Sequence, residues 1–442
     1  MPDLSKKPET KISSAPQIKE ELQRPKGTQD FIGDDLLHLQ GFFEKAAEVA
    51  LYYGFVPIET PMFEKESLFI RGVGDATDIV EKEMYTIKTK GGDKLALRPE
   101  GTAAVMRAYF EHGLASKPQP VMLYYHGPFF RHEKPQRGRL RQLYQFGLEI
   151  IGTKKSVADA MIIHLITLII SEVGIKNFTV AINSIGDKES QTSYKKELVT
   201  YYRKHARAIC ADCRVRLKNN PLRLLDCKNE KCEAIKKEAP ETISHLSSDS
   251  KKHFKEVLEY LDKMCVPYII DSTLVRGLDY YSHTVFEVIP EQTGTDEKPL
   301  SIAGGGRYDY LGKMLAAKKD TPGVGAAIGV NRLINLPDYN FPCPRIVKKP
   351  KVFFIQLSFD AKLMSFIVTE TLRKAKIPVA HSLSKDSLGG QLSKAEKMKV
   401  PYVIILGQKE AIDKTVIVRN MDTRSQETVK IDELANYLKK IK

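Results

Sequence analysis

The strongest constraint on this chain is a pair of long apolar and aromatic stretches, residues 121–131 and 140–151, separated only by the polar segment 132–139. Backbone donors and acceptors in such runs must be paired once buried. A connection this short brings the second run back alongside the first, so the two form a long antiparallel hairpin. Side chains alternate across a strand, which places Gln145, Gly147 and Glu149 on one face. Polar groups at that spacing, in a strand otherwise rich in Leu, Phe and Ile, describe either a solvated sheet face or the floor of a ligand site. The surrounding aromatics favour the floor.

Around the hairpin, apolar positions at helical spacing run over 35–53 and stop at Gly54. Residues 55–61 read as extended chain, kept out of a sheet centre by Pro57 and Pro61. Residues 84–97 suggest a second hairpin turning at Gly91-Gly92. Helices are expected over 100–112 and 157–173. Residues of about 186–268 change character: they are rich in Lys and Glu, helical in pattern, and carry Cys210, Cys213, Cys227 and Cys232. They read as an inserted helical module. Strands are expected at 268–271, 285–289 and 300–303, a helix over 308–317, and a strand-to-helix junction at 323–332. Pro342, Pro344 and Pro350 mark a linker. Beyond it, strands at 352–357, 379–382 and 402–406 alternate with helices at 361–375 and 388–398, a βαβ pattern that predicts a small domain with a mostly parallel sheet. The expected organisation is a disordered tail (1–20), a large domain (21–340) containing the insertion, and a C-terminal domain (350–442).

The formal charge of +14 suits a polyanionic partner as well as a merely lysine-rich surface. Its distribution is informative: residues 351–442 hold 17 Lys and Arg against 10 Asp and Glu, about half the excess. The longest apolar run, 161–170, contains His164 and Thr167 and falls well short of the roughly 20 residues that span a bilayer. Residues 1–20 mix both charge signs without an apolar stretch, so they resemble neither a signal nor a transit peptide. Six cysteines in 442 residues do not make a disulfide scaffold. These features argue against secreted and membrane classes, and the cytosol is the expected compartment.

Five constellations carry chemistry. Phe129-Phe130-Arg131-His132-Glu133 leads into the hairpin loop and on to Gln145, Gly147 and Glu149. Arg98-Pro99-Glu100-Gly101-Thr102 is either a helix cap or a site in which Glu100 holds an ammonium group. Leu274 to Tyr281 sets Arg276, Asp279, Tyr280 and Tyr281 between apolar strands; an arginine fork in a concave site suits phosphate oxygens. Gly304-Gly305-Gly306-Arg307-Tyr308-Asp309 lets backbone approach a ligand, without the pattern of a dinucleotide or P-loop motif. Gly323 to Leu333 combines small residues with Arg332.

In this order, from about Arg24 to the C-terminus, these stretches resemble the histidyl-tRNA synthetases, a family of class II aminoacyl-tRNA synthetases. The 274–281 stretch is the most specific part of the likeness. The resemblance implies an α+β class II catalytic domain, a mainly antiparallel sheet flanked by helices, with an inserted helical module and a C-terminal α/β anticodon-binding domain. It implies activation of L-histidine by ATP with Mg²⁺, transfer to the 3′ end of tRNA-His, and a homodimer built through residues 54–71. Arg131 and Arg276 then meet the ATP α-phosphate, and Glu133 and Arg332 complete the ATP site. Glu100, Gly101, Thr102 and Gln145 hold the amino and carboxylate groups of histidine. Glu149 and Tyr281 pair its ring nitrogens, with Tyr280 and Tyr308 lining the pocket. Lys134, Gln136, Arg137 and Arg139 face the tRNA acceptor end.

Two departures stand out. Asn331 occupies a position where the family commonly has glutamate, and Lys134 one where it often has arginine. The spacing Cys210-x2-Cys213 and Cys227-x4-Cys232 is that of zinc ligands. The resembled family does not generally need zinc, which favours free thiols and no fixed metal. Three rivals are weighed. A non-catalytic paralogue, the regulatory subunit of ATP phosphoribosyltransferase, lacks the C-terminal domain and usually loses the site residues that are present here. A class II enzyme for another amino acid would not carry the 274–281 stretch. A nucleic-acid-binding module without activity would not need the buried arginines.

Overall fold

The computed structural model describes residues 22–75, 77–133, 139–291, 300–345, 349–384 and 386–441. The chain divides between Pro344 and Arg345 into two compact units.

The first unit is built on an eight-stranded sheet. Its centre is the long hairpin, Val121–Phe130 against Gln142–Ile151, paired antiparallel over ten positions. Gly323–Gly329, Ala303–Arg307, Ser282–Pro290 and Phe178–Ser184 follow in antiparallel order, and the edges Val56–Pro57 and Tyr268–Ile270 pair parallel. Pro57 thus sits on an edge strand, where its missing N–H costs nothing. Phe146, Leu148 and Ile150 bury one face of the hairpin in the main core, with the helices Asp34–Tyr52 and Ser156–Glu172. The other face carries Gln145, Gly147 and Glu149. The 84–97 hairpin is present as Thr86–Lys88 and Lys94–Leu97, with Gly92 at φ +92.

One expected strand and the helix after it are displaced. The strand expected at 300–303 is shifted onto the glycines, Ala303–Arg307, and the helix after it shrinks to Leu311–Met314. The reason is close approach. A Cβ on Gly305 would lie 2.1 Å from the Gly325 carbonyl, and one on Gly304 2.8 Å from the Arg276 guanidinium. Only a strand without side chains fits between these neighbours.

The inserted module contains the helices Lys188–Lys204, Ala211–Asn219, Glu230–Lys237 and Ser248–Lys263. Asp187 caps the first, accepting the Ser190 N–H at 2.8 Å, and Ser247 caps the last. The module's small core gathers Tyr194, Leu198 and Tyr202 around the cysteines. It docks on the rest of the unit through Asp78, which accepts hydrogen bonds from Arg216 (3.2 Å) and Arg223 (2.6 Å), and through Asn220, which donates to Asp279 (2.7 Å).

The second unit is a five-stranded sheet around Val352–Gln356. Val379–His381 and Tyr402–Leu406 pair with it in parallel. Thr415–Asn420 and Gln426–Lys430, which the periodicity does not announce, extend it antiparallel. Phe354 and Ile404 pack towards one side, Phe353 and Val403 towards the other. Burial on both faces explains why these strands read as unbroken apolar runs.

One buried charge cluster ties the first unit together. Arg307, fully buried, pairs with Asp159 and with Asp309 (3.0 Å), and donates to the Thr153 carbonyl (2.9 Å). Burial alone would raise the Asp159 carboxyl; the Arg307 guanidinium and the His253 ring together outweigh it and hold Asp159 well below the usual carboxylate range. Removing one partner strands the other charge. Arg307→Met is therefore expected to cost about 3–5 kcal/mol, read as a lower urea midpoint. Arg307→Met combined with Asp159→Leu should recover part of that loss. A single substitution with the wild-type midpoint would refute the assignment.

Candidate active site

A cavity of about 750 Å³ opens over the polar face of the hairpin. Its walls include Glu100, Thr102, Arg131, Gln145, Arg276 and Arg332. Stretches separated by more than 200 residues in the chain thus share one cleft.

The floor is a layer of aromatic and carboxylic groups made possible by glycine. The Tyr125 ring lies between Gly101 and Gly147, where added Cβ atoms would sit 2.3 and 2.2 Å from its Cζ. A Cβ on Gly325 would sit 1.6 Å from Glu149 Oε2. Glu149 is completely buried. Its oxygens accept from the Thr102 hydroxyl (2.7 Å) and the Tyr308 hydroxyl (2.5 Å). Burial pushes its carboxyl up to about 8, against the pull of those two hydrogen bonds. Glu149 and Tyr308 lie one layer beneath the cavity wall. Tyr280 and Tyr281 stand in the wall itself, their rings 4.7 Å apart.

Glu100 fills the cap role that its motif allowed. Its carboxylate accepts the backbone N–H groups of Thr102 (2.7 Å) and Ala103 (2.9 Å), capping the helix Thr102–Glu111, and the Tyr280 hydroxyl (3.2 Å). It also faces the cavity. Burial raises its pKa, and the two backbone donors oppose the shift. Arg98, in the same motif, is a brace: it donates to the carbonyls of Pro128 and Thr60 (2.9 Å each) and lies 4.6 Å over the Phe129 ring.

Several arginines line the cavity, among them Arg131, Arg139, Arg276 and Arg332. Arg131 leaves the first hairpin strand with Nε donating to the Pro99 carbonyl (2.8 Å), and Glu133 lies 3.8 Å from its guanidinium. Arg139 closes on the same Glu133 at 3.4 Å. Arg276 pairs with Glu287, and its buried Nε has no hydrogen-bond partner among the described residues. Burial works against its charge, but Glu287 together with the Tyr281 and Tyr280 hydroxyls outweighs it and raises the pKa. Arg332 sits on the helical turn Val330–Leu333 and donates to the Ser301 carbonyl (2.8 Å). Asn331 accepts the Tyr144 N–H (2.6 Å), so this position serves the hairpin's backbone here. Lys134, Gln136 and Arg137 lie outside the described residues.

Glu287 and Tyr125 are among the cavity residues that sequence reasoning missed. Glu287 is a lone carboxylate inside an apolar strand, a signal that was available. Tyr125 carried none, because its glycine neighbours are distant in the chain. In the inserted module, the sulfurs of Cys210, Cys213, Cys227 and Cys232 lie within 4.8 Å of one another.

Comparison with known proteins gives the family and the overall fold. Residues 27–333 match the family model described as histidyl-tRNA synthetase, and residues 351–441 match the anticodon binding domain. The chain is 41% identical over 419 residues to a histidine–tRNA ligase of Dehalococcoides mccartyi, covering 95% of this chain and 99% of that one. It is 37% identical over 420 residues to the histidine–tRNA ligase of Staphylococcus aureus, covering 95% and 100%. The crystal structure of apo S. aureus histidyl-tRNA synthetase superposes with a TM-score of 0.78 at 32% identity, covering 95% of this chain and all of that one.

Proposed function

The chain belongs to the histidyl-tRNA synthetase family, a class II aminoacyl-tRNA synthetase family, and from that premise we propose how its cleft activates histidine with ATP and passes it to tRNA-His. The chain is an ATP-dependent histidine–tRNA ligase. What carries the assignment of roles is the convergence of Arg131, Arg276 and Arg332 on one cavity with Glu100 in its wall.

The histidine carboxylate is already a nucleophile, so the first step needs no general base. Its oxygen attacks the α-phosphorus of ATP, the bond to the bridging oxygen breaks, and pyrophosphate leaves. ATP enters as its magnesium complex, a substrate. The work left to the protein is alignment and stabilisation of charge on the α-phosphate. Arg131 and Arg276 supply fixed, permanently charged donors there. Glu133 and Arg332 frame the adenine and γ-phosphate side. In the second step a terminal ribose hydroxyl of tRNA attacks the adenylate carbonyl and releases AMP.

For histidine, Glu149 and Tyr281 pair the ring nitrogens, while Glu100, Thr102 and Gln145 hold the amino acid's backbone groups. An imidazole N–H takes the place of the Thr102 hydroxyl at Glu149, freeing Thr102 to turn towards the substrate. Amino acids without such a ring leave buried polar groups stranded. Arg139, with Lys134, Gln136 and Arg137, meets the acceptor end, and the basic C-terminal unit binds the anticodon region. We further infer a homodimer through the 54–71 region, where Val56 (52%), Met62 (47%) and Phe63 (55%) expose apolar surface that a partner would cover. The tRNA substrate makes the cytosol the working compartment.

Pyrophosphate exchange measured with each of the twenty amino acids tests the reading. Histidine alone should support exchange. Exchange driven by another amino acid at comparable kcat/KM would refute the pocket assignment.

A further inference from the structure

We propose that Cys210, Cys213, Cys227 and Cys232 form a structural zinc site in the inserted module, and that this site holds the loop bearing Arg276. Sequence spacing left zinc and free thiols both open, with the family likeness leaning to thiols. Geometry points to the metal. Tetrahedral thiolate zinc has Zn–S bonds of about 2.3 Å, which sets the S···S edges at about 3.8 Å. The Cys210–Cys227 and Cys213–Cys232 sulfurs are 3.8 and 3.9 Å apart, and all four sulfurs fall within 4.8 Å. These separations are nearly twice a disulfide bond of about 2.05 Å.

A second observation concerns the backbone. Three of the sulfurs accept N–H groups: Cys232 from Cys210 (3.3 Å), Cys210 from Cys213 (3.4 Å) and Cys227 from Asn229 (3.5 Å). These cysteines do have apolar neighbours, but thiols that merely fill a core ask for no donors at sulfur. Donors aimed at sulfur are what thiolates carrying excess negative charge require. The site is built from two turns, one opening the helix Ala211–Asn219 and one before and within Glu230–Lys237. Cys213, Cys227 and Cys232 are buried, while Cys210 is half-exposed at the cavity wall, which leaves a path for the ion.

The functional consequence follows from what the module touches. Val275 packs into the cysteine core. Arg223, between the two cysteine pairs, donates to the Gly277 carbonyl (3.3 Å). Both contacts flank Arg276. A metal that fixes the two cysteine turns therefore fixes the loop on either side of the α-phosphate arginine.

The test is metal analysis of the full-length protein, purified reduced and without added chelator. About one zinc per chain is expected, with the four thiols protected from a thiol reagent until a strong chelator is added. Metal-free reduced protein titrated with Co²⁺ should develop the visible bands of tetrahedral thiolate cobalt at one equivalent, a readout independent of activity. Cys213→Ser should reduce bound zinc to under about a tenth of an equivalent. Its kcat for pyrophosphate exchange should fall while the other half of the module contact, Asn220→Ala, keeps its zinc. The proposal is overturned if the wild-type protein binds neither zinc nor cobalt at one equivalent, if the cysteines are isolated as two disulfides, or if Cys213→Ser retains full zinc.

Discussion

Arg276→Ala is expected to lower kcat for histidine-dependent pyrophosphate exchange by about 10³–10⁵-fold, the range seen when an arginine that stabilises a phosphoryl transition state is removed. The guanidinium is partly buried and paired with Glu287, and its enclosed Nε has no hydrogen-bond partner among the described residues. In that low-dielectric setting a preoriented donor is worth far more than in water. Arg276→Lys should not rescue, because an ammonium cannot present the planar fork. The substitution also leaves Glu287 unpaired, so Glu287→Gln is the control: it keeps Arg276 and should lose much less. Histidine affinity, read by equilibrium binding, should change only a few-fold. A kcat within tenfold of wild type in a folded Arg276→Ala protein would remove Arg276 from the α-phosphate.

Glu149→Gln should raise the histidine KM by roughly 10²–10³-fold, consistent with about 2–5 kcal/mol for breaking a buried charged pair, while the ATP KM stays within about threefold of wild type. The pH dependence is more diagnostic. Burial raises the Glu149 carboxyl to about 8, so the free enzyme holds it protonated at neutral pH. Free imidazole loses its proton at about 6.5. Between those values the carboxyl and the ring together bring the single proton they share in the complex. Below the window one proton must be shed on binding, and above it one must be taken up. Histidine affinity should therefore be bell-shaped, falling about tenfold per pH unit on each side. In Glu149→Gln the alkaline limb should vanish and the acid limb persist. Identical alkaline limbs in both proteins would assign that ionisation elsewhere.

The same shift bears on stability. A carboxyl whose folded pKa lies above its unfolded value favours the folded state fully below about 4.5 and loses that contribution as pH rises towards about 8. Thr102 and Tyr308 offset part of this cost through their hydrogen bonds to the carboxylate. The layer under the cavity is thus held in tension for binding, as polar groups at functional sites often are.

Much of the fold was legible because it follows local rules. The long hairpin, the helix ending at Gly54, the edge position of Pro57 and the turn at Gly92 each follow from side-chain alternation, φ freedom or a missing N–H. The glycine run misled because its reason is not local: Gly304 and Gly305 are small to admit Arg276 and the Gly325 backbone. The last two strands of the C-terminal unit were missed because neither is a continuous buried run: Thr415–Asn420 buries only alternate residues and Gln426–Lys430 buries only Val429.

Sequence alone determined the residue types gathered at the cleft, because alternation along the Gln142–Ile151 strand and the order of the motifs depend only on neighbours in the chain. Tertiary structure decided which of those groups are buried and with whom. Glu149 meets Thr102 and Tyr308, Arg276 meets Glu287, and four sulfurs close on one point. Such pairings are set by how strands and turns pack across the core, and burial then converts each contact into a shifted proton, a held charge or a ligand set.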